Sequence, residues 1–337
     1  MLEQEDIDKV DKAGLWKAYE EWPEAVTRAL GARLALPEGR LTRMIVLAGM
    51  GGSGAACDIV GDWVGLNSGT PALVVKDFHL PRFVGPESLV MAVSLSGDTK
   101  EVLSVAEEAR ARGCDVVAIS SGGALEAWCK EEGVPHNRVE RLLVPRASLP
   151  GMVVTALRIL DGLGLADCEA DLKELPSALR QGFSQVAPSV PANSNPAKKI
   201  ALSLRGKRAS IYTPAPVFSV GSHFRASMNE NAKLPVYAGA YPEIFHNEIE
   251  TWKWSKERSV IILRKREENE TVSKKLARSK SLLRRAGVPV SEVYDFGNSI
   301  VNLLSWCLLL DMVSIYVAVL GGTTPIATPL LDSARKL

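Results

Sequence analysis

Histidine and cysteine are scarce in this chain of 337 residues, which has four of one and five of the other. The thiols, at Cys57, Cys114, Cys129, Cys168 and Cys307, are odd in number, scattered and never arranged as CxxC. That spacing offers neither a disulfide framework nor a zinc site, and reduced thiols in a cytosol fit it best. Net charge is also missing: 40 Lys plus Arg stand against 39 Asp plus Glu. No field of one sign would draw in nucleic acid or an anionic membrane, so any anionic ligand must be held locally. Met1 to Val10 is acidic and polar and has no signal-peptide pattern. The longest apolar stretch, 300–320, is broken by Asn302, Ser305, Asp311 and Ser314. An acid near its centre predicts a buried helix rather than a membrane span. The expectation is a cytoplasmic protein.

What is present is alternation. Buried-strand runs at 44–48, 73–75, 89–93 and 116–119, with a fifth expected at 141–144, are mostly separated by helical patterns. The alternation restarts at 210–213 and continues through 234–238, 260–263 and 289–294, with helices at 218–232, 271–286 and 300–320. The fold class predicted is α/β, with two doubly wound parallel-sheet domains whose ligands sit beyond the strand C-termini. Residues 186–196 hold three prolines and little periodicity and read as the linker. The expected domains are residues 1–185, including leading helices, and residues 197–337. The basic run 274–285 reads as a solvated helix face.

Between the third strand and its helix lies Ser94-Leu95-Ser96-Gly97-Asp98-Thr99. It supplies three hydroxyls, a glycine that can take positive φ and a threonine at the helix N-cap position. Such a turn suits a phosphate, because the free amides and the helix dipole favour an anion and hydroxyls donate without adding charge. An ordinary capped turn would read the same way. Gly49-Met50-Gly51-Gly52-Ser53-Gly54 follows the first strand and fits the dinucleotide-binding glycine pattern, with Asp77 after the second strand. Yet a second anion turn is superfluous for a pyrophosphate already held at the first. Two neighbouring loops converging on one phosphate monoester account for both.

The second half supplies candidate chemistry. Glu230 stands between Asn229 and Asn231, and His246 stands beside Asn247 and Glu248. A glutamate can abstract a proton next to a carbonyl, and a histidine can shuttle protons between ring oxygens. Each also has a plain reading, as a surface acid and a loop residue. His223 could face a site, ranking behind His246.

In combination these segments resemble the sugar isomerase (SIS) superfamily, and within it the bifunctional phosphoglucose/phosphomannose isomerases. Gly49 to Ser53, Ser94 to Glu101, Pro145 to Ser148, Asn229 to Asn231, His246 to Glu248 and Thr328 to Arg335 carry the resemblance, in order along the chain. It implies two SIS domains and a homodimer whose sites lie at domain and subunit interfaces. It implies a phosphate held among Gly52, Ser53, Ser94, Ser96 and Thr99. Arg146 would stabilise an enediolate, Glu230 would move the proton between C1 and C2, and His246 of the other subunit would assist ring opening. Thr328 would give room for both C2 epimers. The family has a lysine where this chain has Arg335; arginine is a poor proton donor near neutrality, and Lys336 is the alternative. The implied reaction interconverts glucose 6-phosphate and mannose 6-phosphate with fructose 6-phosphate, with no cofactor and no metal. Alternatives are an isomerase for one related sugar phosphate, a non-catalytic sugar-phosphate binder and an NAD-dependent enzyme.

Overall fold

The computed structural model describes residues 2–38, 41–254, 257–295 and 299–334. It divides into two compact units, Glu21–Ala178 and Met1–Glu20 with Leu179–Leu337. The leading helices, which the sequence reading grouped with the first sheet, therefore belong to the unit that carries the second. The cause is burial: Leu2, Ile7, Leu15 and Tyr19 are at most 1% exposed, and the helices α1 (Gln4–Val10) and α2 (Leu15–Glu20) pack on the long helix 300–320.

In the first unit, α3 (Trp22–Gly31) precedes β1 (Met44–Gly49), α4 (Gly51–Asn67), β2 (Ala72–Val75), β3 (Ser88–Val93), α5 (Lys100–Ala111), β4 (Asp115–Ser120), α6 (Gly123–Glu132) and β5 (His136–Arg138). The helices α7 (Leu149–Gly162) and α8 (Glu169–Val186) follow, and the division between units falls inside α8. The sheet is parallel in the order β2-β1-β3-β4-β5, a doubly wound order that puts the switch point between β1 and β3. Side chains alternate across it. Val46, Ala48, Val90, Ala92, Val116 and Ala118 face one cluster with Val102, Val105, Leu125 and Cys129 of α5 and α6. Leu47 and Val74 face Gly61 of α4 on the other side. Both faces are covered, so the strands read as unbroken apolar runs.

The expected strand at 141–144 is not one. Leu142 and Val144 are buried and Leu143 exposed, the alternation of a strand, but the segment pairs with nothing in the sheet. The edge is β5, registered Ala118 to His136 and Ser120 to Arg138. It holds no apolar side chain; Asn137 anchors it by bonding both the N–H and the C=O of Ala35 at 2.9 Å.

The second unit continues with α9 (Pro196–Leu204), β6 (Arg208–Pro214), α10 (Phe218–Ser227), β7 (Val236–Tyr241), β8 (Arg258–Arg264), α11 (Glu270–Arg285), β9 (Val290–Tyr294), α12 (Ile300–Leu320) and α13 (Pro329–Ala334). Its parallel sheet runs β7-β6-β8-β9. Tyr212, Val260 and Ile262 pack with Leu276 and Leu283 of α11 on one face. On the other lie α9 and α10, which α12 covers. The helix α12 has the length and apolarity of a membrane span, but 83% of its most apolar stretch is buried in the unit and Asp311 at its middle is 0% exposed.

Candidate active site

Two loops at the carboxyl ends of β1 and β3 are stitched together. The amide of Leu95 donates to Ser53 Oγ at 3.0 Å, and that hydroxyl donates to Met152 Sδ at 3.4 Å. Gly52 lies against the next element: a Cβ there would sit 3.4 Å from Arg146 Cα and 3.5 Å from the Pro145 carbonyl oxygen. Arg146, 6% exposed, rides on a short 3-10 turn, Pro145–Ser148. Trp22 Nε1 holds that turn from behind by donating to the Ala147 carbonyl at 2.8 Å. The first unit thus gathers Gly52, Ser53, Ser94, Ser96, Thr99 and Arg146, the residues matched to phosphate and enediolate.

Within the second loop the hydroxyls divide. Ser94 is 1% exposed, accepts from the Gly97 amide at 3.1 Å and lies 2.8 Å from Thr99 Oγ1. Ser96 is exposed and accepts from the Asp98 amide at 3.2 Å. Thr99 occupies the N-cap of α5 as its sequence position predicts, but its hydroxyl turns to Ser94 and makes no cap bond; α4 likewise has no side-chain cap. The first amides of both helices are left for an outside acceptor. A third loop, at the end of β4, braces the second. Ser121 Oγ donates to the Leu95 carbonyl at 2.6 Å, and the Leu125 amide to that of Gly97 at 2.8 Å. A Cβ on Gly97, whose φ is +79°, would meet the Gly122 carbonyl oxygen at 1.8 Å.

The second unit carries the rest. Here α10 ends at Ser227 and a π-helical turn, Met228–Ala232, takes over where the sequence reading continued the helix. Such turns insert an extra residue and re-aim a side chain. Glu230 lies half-buried in it, and Lys233 closes it in the left-handed region at φ 58°. Lys233 Nζ donates to the carbonyls of Glu230 (2.7 Å), Asn231 (3.3 Å) and Thr324 (3.0 Å), tying the turn to the segment leading to half-buried Thr328. His246 ends a 3-10 turn, Glu243–His246, and is exposed. Arg335 and Lys336 lie outside the described residues.

Glu248 and His223 are both held by buried partners. Glu248, 8% exposed, accepts from the Tyr212 hydroxyl, which in turn accepts from Trp252 Nε1 at 3.0 Å. His223, 4% exposed, bonds Asp311 at 3.0 Å. Asp311 itself was legible as buried, but not as that partner. Among the described residues no group of three or more His, Cys, Asp and Glu side chains could hold a metal. A cleft of about 690 Å³ lined by Arg264, Lys280, Arg284 and Glu292 contains none of the matched residues. Its floor is internally neutralised, Arg264 pairing with Glu268 and Glu292, and Lys280 with Glu292.

Comparison with known proteins gives a consistent result. Residues 42–127 match the SIS domain family, and residues 193–337 match the bacterial phospho-glucose isomerase C-terminal SIS domain. A bifunctional phosphoglucose/phosphomannose isomerase of Aquifex aeolicus is 31% identical over 299 residues, 87% of this chain and 89% of that protein. One from Caldicellulosiruptor bescii is 29% identical over 299 residues, 87% and 88% of the two chains. Among solved structures, a glucose-6-phosphate isomerase like protein from Thermus thermophilus superposes with a TM-score of 0.63 at 20% identity, covering 99% of this chain and 98% of that one.

Proposed function

The chain belongs to the bifunctional phosphoglucose/phosphomannose isomerase family, and on that footing we propose that it interconverts glucose 6-phosphate and mannose 6-phosphate with fructose 6-phosphate. It is a sugar-phosphate isomerase of two SIS domains. The observation that carries the finer reading is the stitched pair of loops, in which two uncapped helix ends and the exposed Ser96 lie on the unit that also holds Arg146. A phosphate monoester there meets amides, hydroxyls and dipoles, which hold charge without a large net field.

The chemistry follows from the residue types. The Glu230 carboxylate removes the C2 proton of the open aldose. The C–H pair becomes the C1–C2 double bond of a cis-enediolate, whose oxygen charge Arg146 offsets. Return of the proton to C1, with transfer of the O2 proton to O1, gives the ketose. In reverse, protonation of C2 on either face gives either epimer, and Thr328 would line the room this needs. His246 would move the ring-opening proton. Its exposure supports a role in the site of a partner subunit, and hence a homodimer. Five buried free thiols are in keeping with a cytoplasmic setting. The donor set favours a route without metal or other cofactor, and neither nucleic acid nor membrane is proposed as a partner.

A coupled assay on both aldoses in the presence of chelator tests the reading. Activity on each is expected. Loss to chelator would remove the metal-free route; sugar-phosphate binding without turnover would leave a sensor; heat on titration with NAD would revive the glycine-loop alternative. Glu230→Gln should bind sugar phosphate nearly as the parent does, while kcat falls on the order of a hundredfold or more.

A further inference from the structure

The apolar helix α12 carries one carboxylate at its centre, and nothing about helix packing requires it. Removing a charge from water costs several kcal/mol unless partners offset it, and a well-packed aliphatic side chain serves a core as well. Asp311 has its partners on the helix that leads to Glu230. Oδ2 lies 3.0 Å from His223 Nε2, and Oδ1 accepts from Ser227 Oγ at 2.5 Å. One turn on, Ser314 Oγ donates to the Asp311 carbonyl at 2.6 Å and accepts from Asn231 Nδ2 at 2.7 Å. Asp311, Ser314 and Asn231 are each 0% exposed. The π-helical turn is thus pinned to α12 before Glu230, through Ser227, and after it, through Asn231. Lys233 closes it from the far end.

We propose that Asp311 and His223 are positioning residues for the Glu230 base. Asp311 anchors the turn that carries Glu230, and His223, on the helix that leads into that turn, holds the Asp311 carboxylate in place. This rests on Glu230 being the base. The electrostatics agree. Burial alone pushes the His223 imidazole down, but the Asp311 carboxylate, its hydrogen bond and the charge of Glu230 together lift it above its ordinary value. Among the described residues, the charged groups acting on it are Asp311 from α12 and Glu230 from the turn. Cys307, one turn earlier on α12, is a buried thiol held neutral by desolvation.

The test uses the full chain with four variants, reading kcat, KM and C2 hydrogen exchange in deuterated water. His223→Gln should lower kcat about tenfold with KM within twofold. It should also slow C2 hydrogen exchange by about the same factor, because the base is no longer held in place. If His223→Gln does not fold, the double variant His223→Gln, Asp311→Asn removes the pair at nearly constant volume and should show the same fall in kcat. Ser227→Ala removes an anchor of the same turn, so kcat and C2 exchange should fall together with KM kept. A parent kcat in both His223 variants, or losses confined to KM, overturns the proposal. Glu230→Gln is the reference. If it exchanges C2 hydrogen at the parent rate, the base is misassigned and this inference falls with it. If it is inactive while the other variants keep the parent kcat and exchange rate, the positioning role alone fails.

Discussion

A single methyl group at Gly97 would collide with the loop that braces it, since its carbon would lie 1.8 Å from the Gly122 oxygen at a φ that side chains avoid. Gly97→Ala should therefore raise KM for sugar phosphate about tenfold or more and lower the thermal midpoint, through strain of roughly 1–3 kcal/mol. An unchanged KM would mean the turn does not form the anion site. His223 gives a second residue-level outcome. Its native value is raised, so the stabilisation it contributes is complete below the unfolded value of about 6.5 and is lost as pH rises through the native one. The stability gap between the parent and the doubly neutral His223→Gln, Asp311→Asn variant should be widest in mild acid and narrow toward alkaline pH, as denaturant midpoints would show. At this scale, residue types were legible and bond directions were not. The hydroxyls of 94–99 announce an anion turn. That Ser94 bonds Thr99, five residues on, or that Glu248 is committed to Tyr212, 36 residues back, depends on folded geometry that residue types do not announce.

Among the elements, the segment 186–196 shows where local signals mislead. Its prolines read as a linker, yet it is a fastened turn of the second unit. Asn195 caps α9 by accepting from the Lys198 amide at 3.0 Å and donates to the Ala187 carbonyl at 3.1 Å. Lys198, 1% exposed, donates to the Pro188 and Val190 carbonyls at 2.7 and 2.8 Å and lies over the Tyr316 ring. Prolines cost a segment its donors; an ammonium threaded beneath it supplies them. Lys198→Met should leave two carbonyls unpaired and cost about 1–3 kcal/mol, read as a lower unfolding midpoint with KM unchanged. The apolar strands of both sheets were legible because burial on both faces makes them continuous runs. The edge strand β5 was not, because three residues held by an asparagine carry no hydrophobic signal. The π-helical turn was equally hidden, since its cause lies on α12.

On the scale of the whole molecule, the exposed His246 and half-buried Glu230 allow a complementation test of the proposed dimer. Chains carrying Glu230→Gln and chains carrying His246→Ala are each expected to be nearly inactive. If the histidine crosses between subunits, refolding them together gives mixed dimers in half the population, each with one intact site. Activity should recover to about a quarter of the parent rate. No recovery would place both residues in one subunit's site. Removing residues 2–20 should destabilise the second unit and leave the phosphate loops of the first intact, as separate fluorescence and phosphate-binding measurements would report. The packing of α1 and α2 on α12 also sets a schedule for synthesis. The partner of these helices is made about 280 residues after them. At about 5–20 residues per second that is a wait of ~15–60 s. Through that interval the apolar faces of Ile7, Leu15 and Tyr19 have no native partner, while residues 21–178 are completed behind them. The nascent chain therefore completes residues 21–178 before the second unit can close, which makes residues 2–20 a natural landing place for a chaperone.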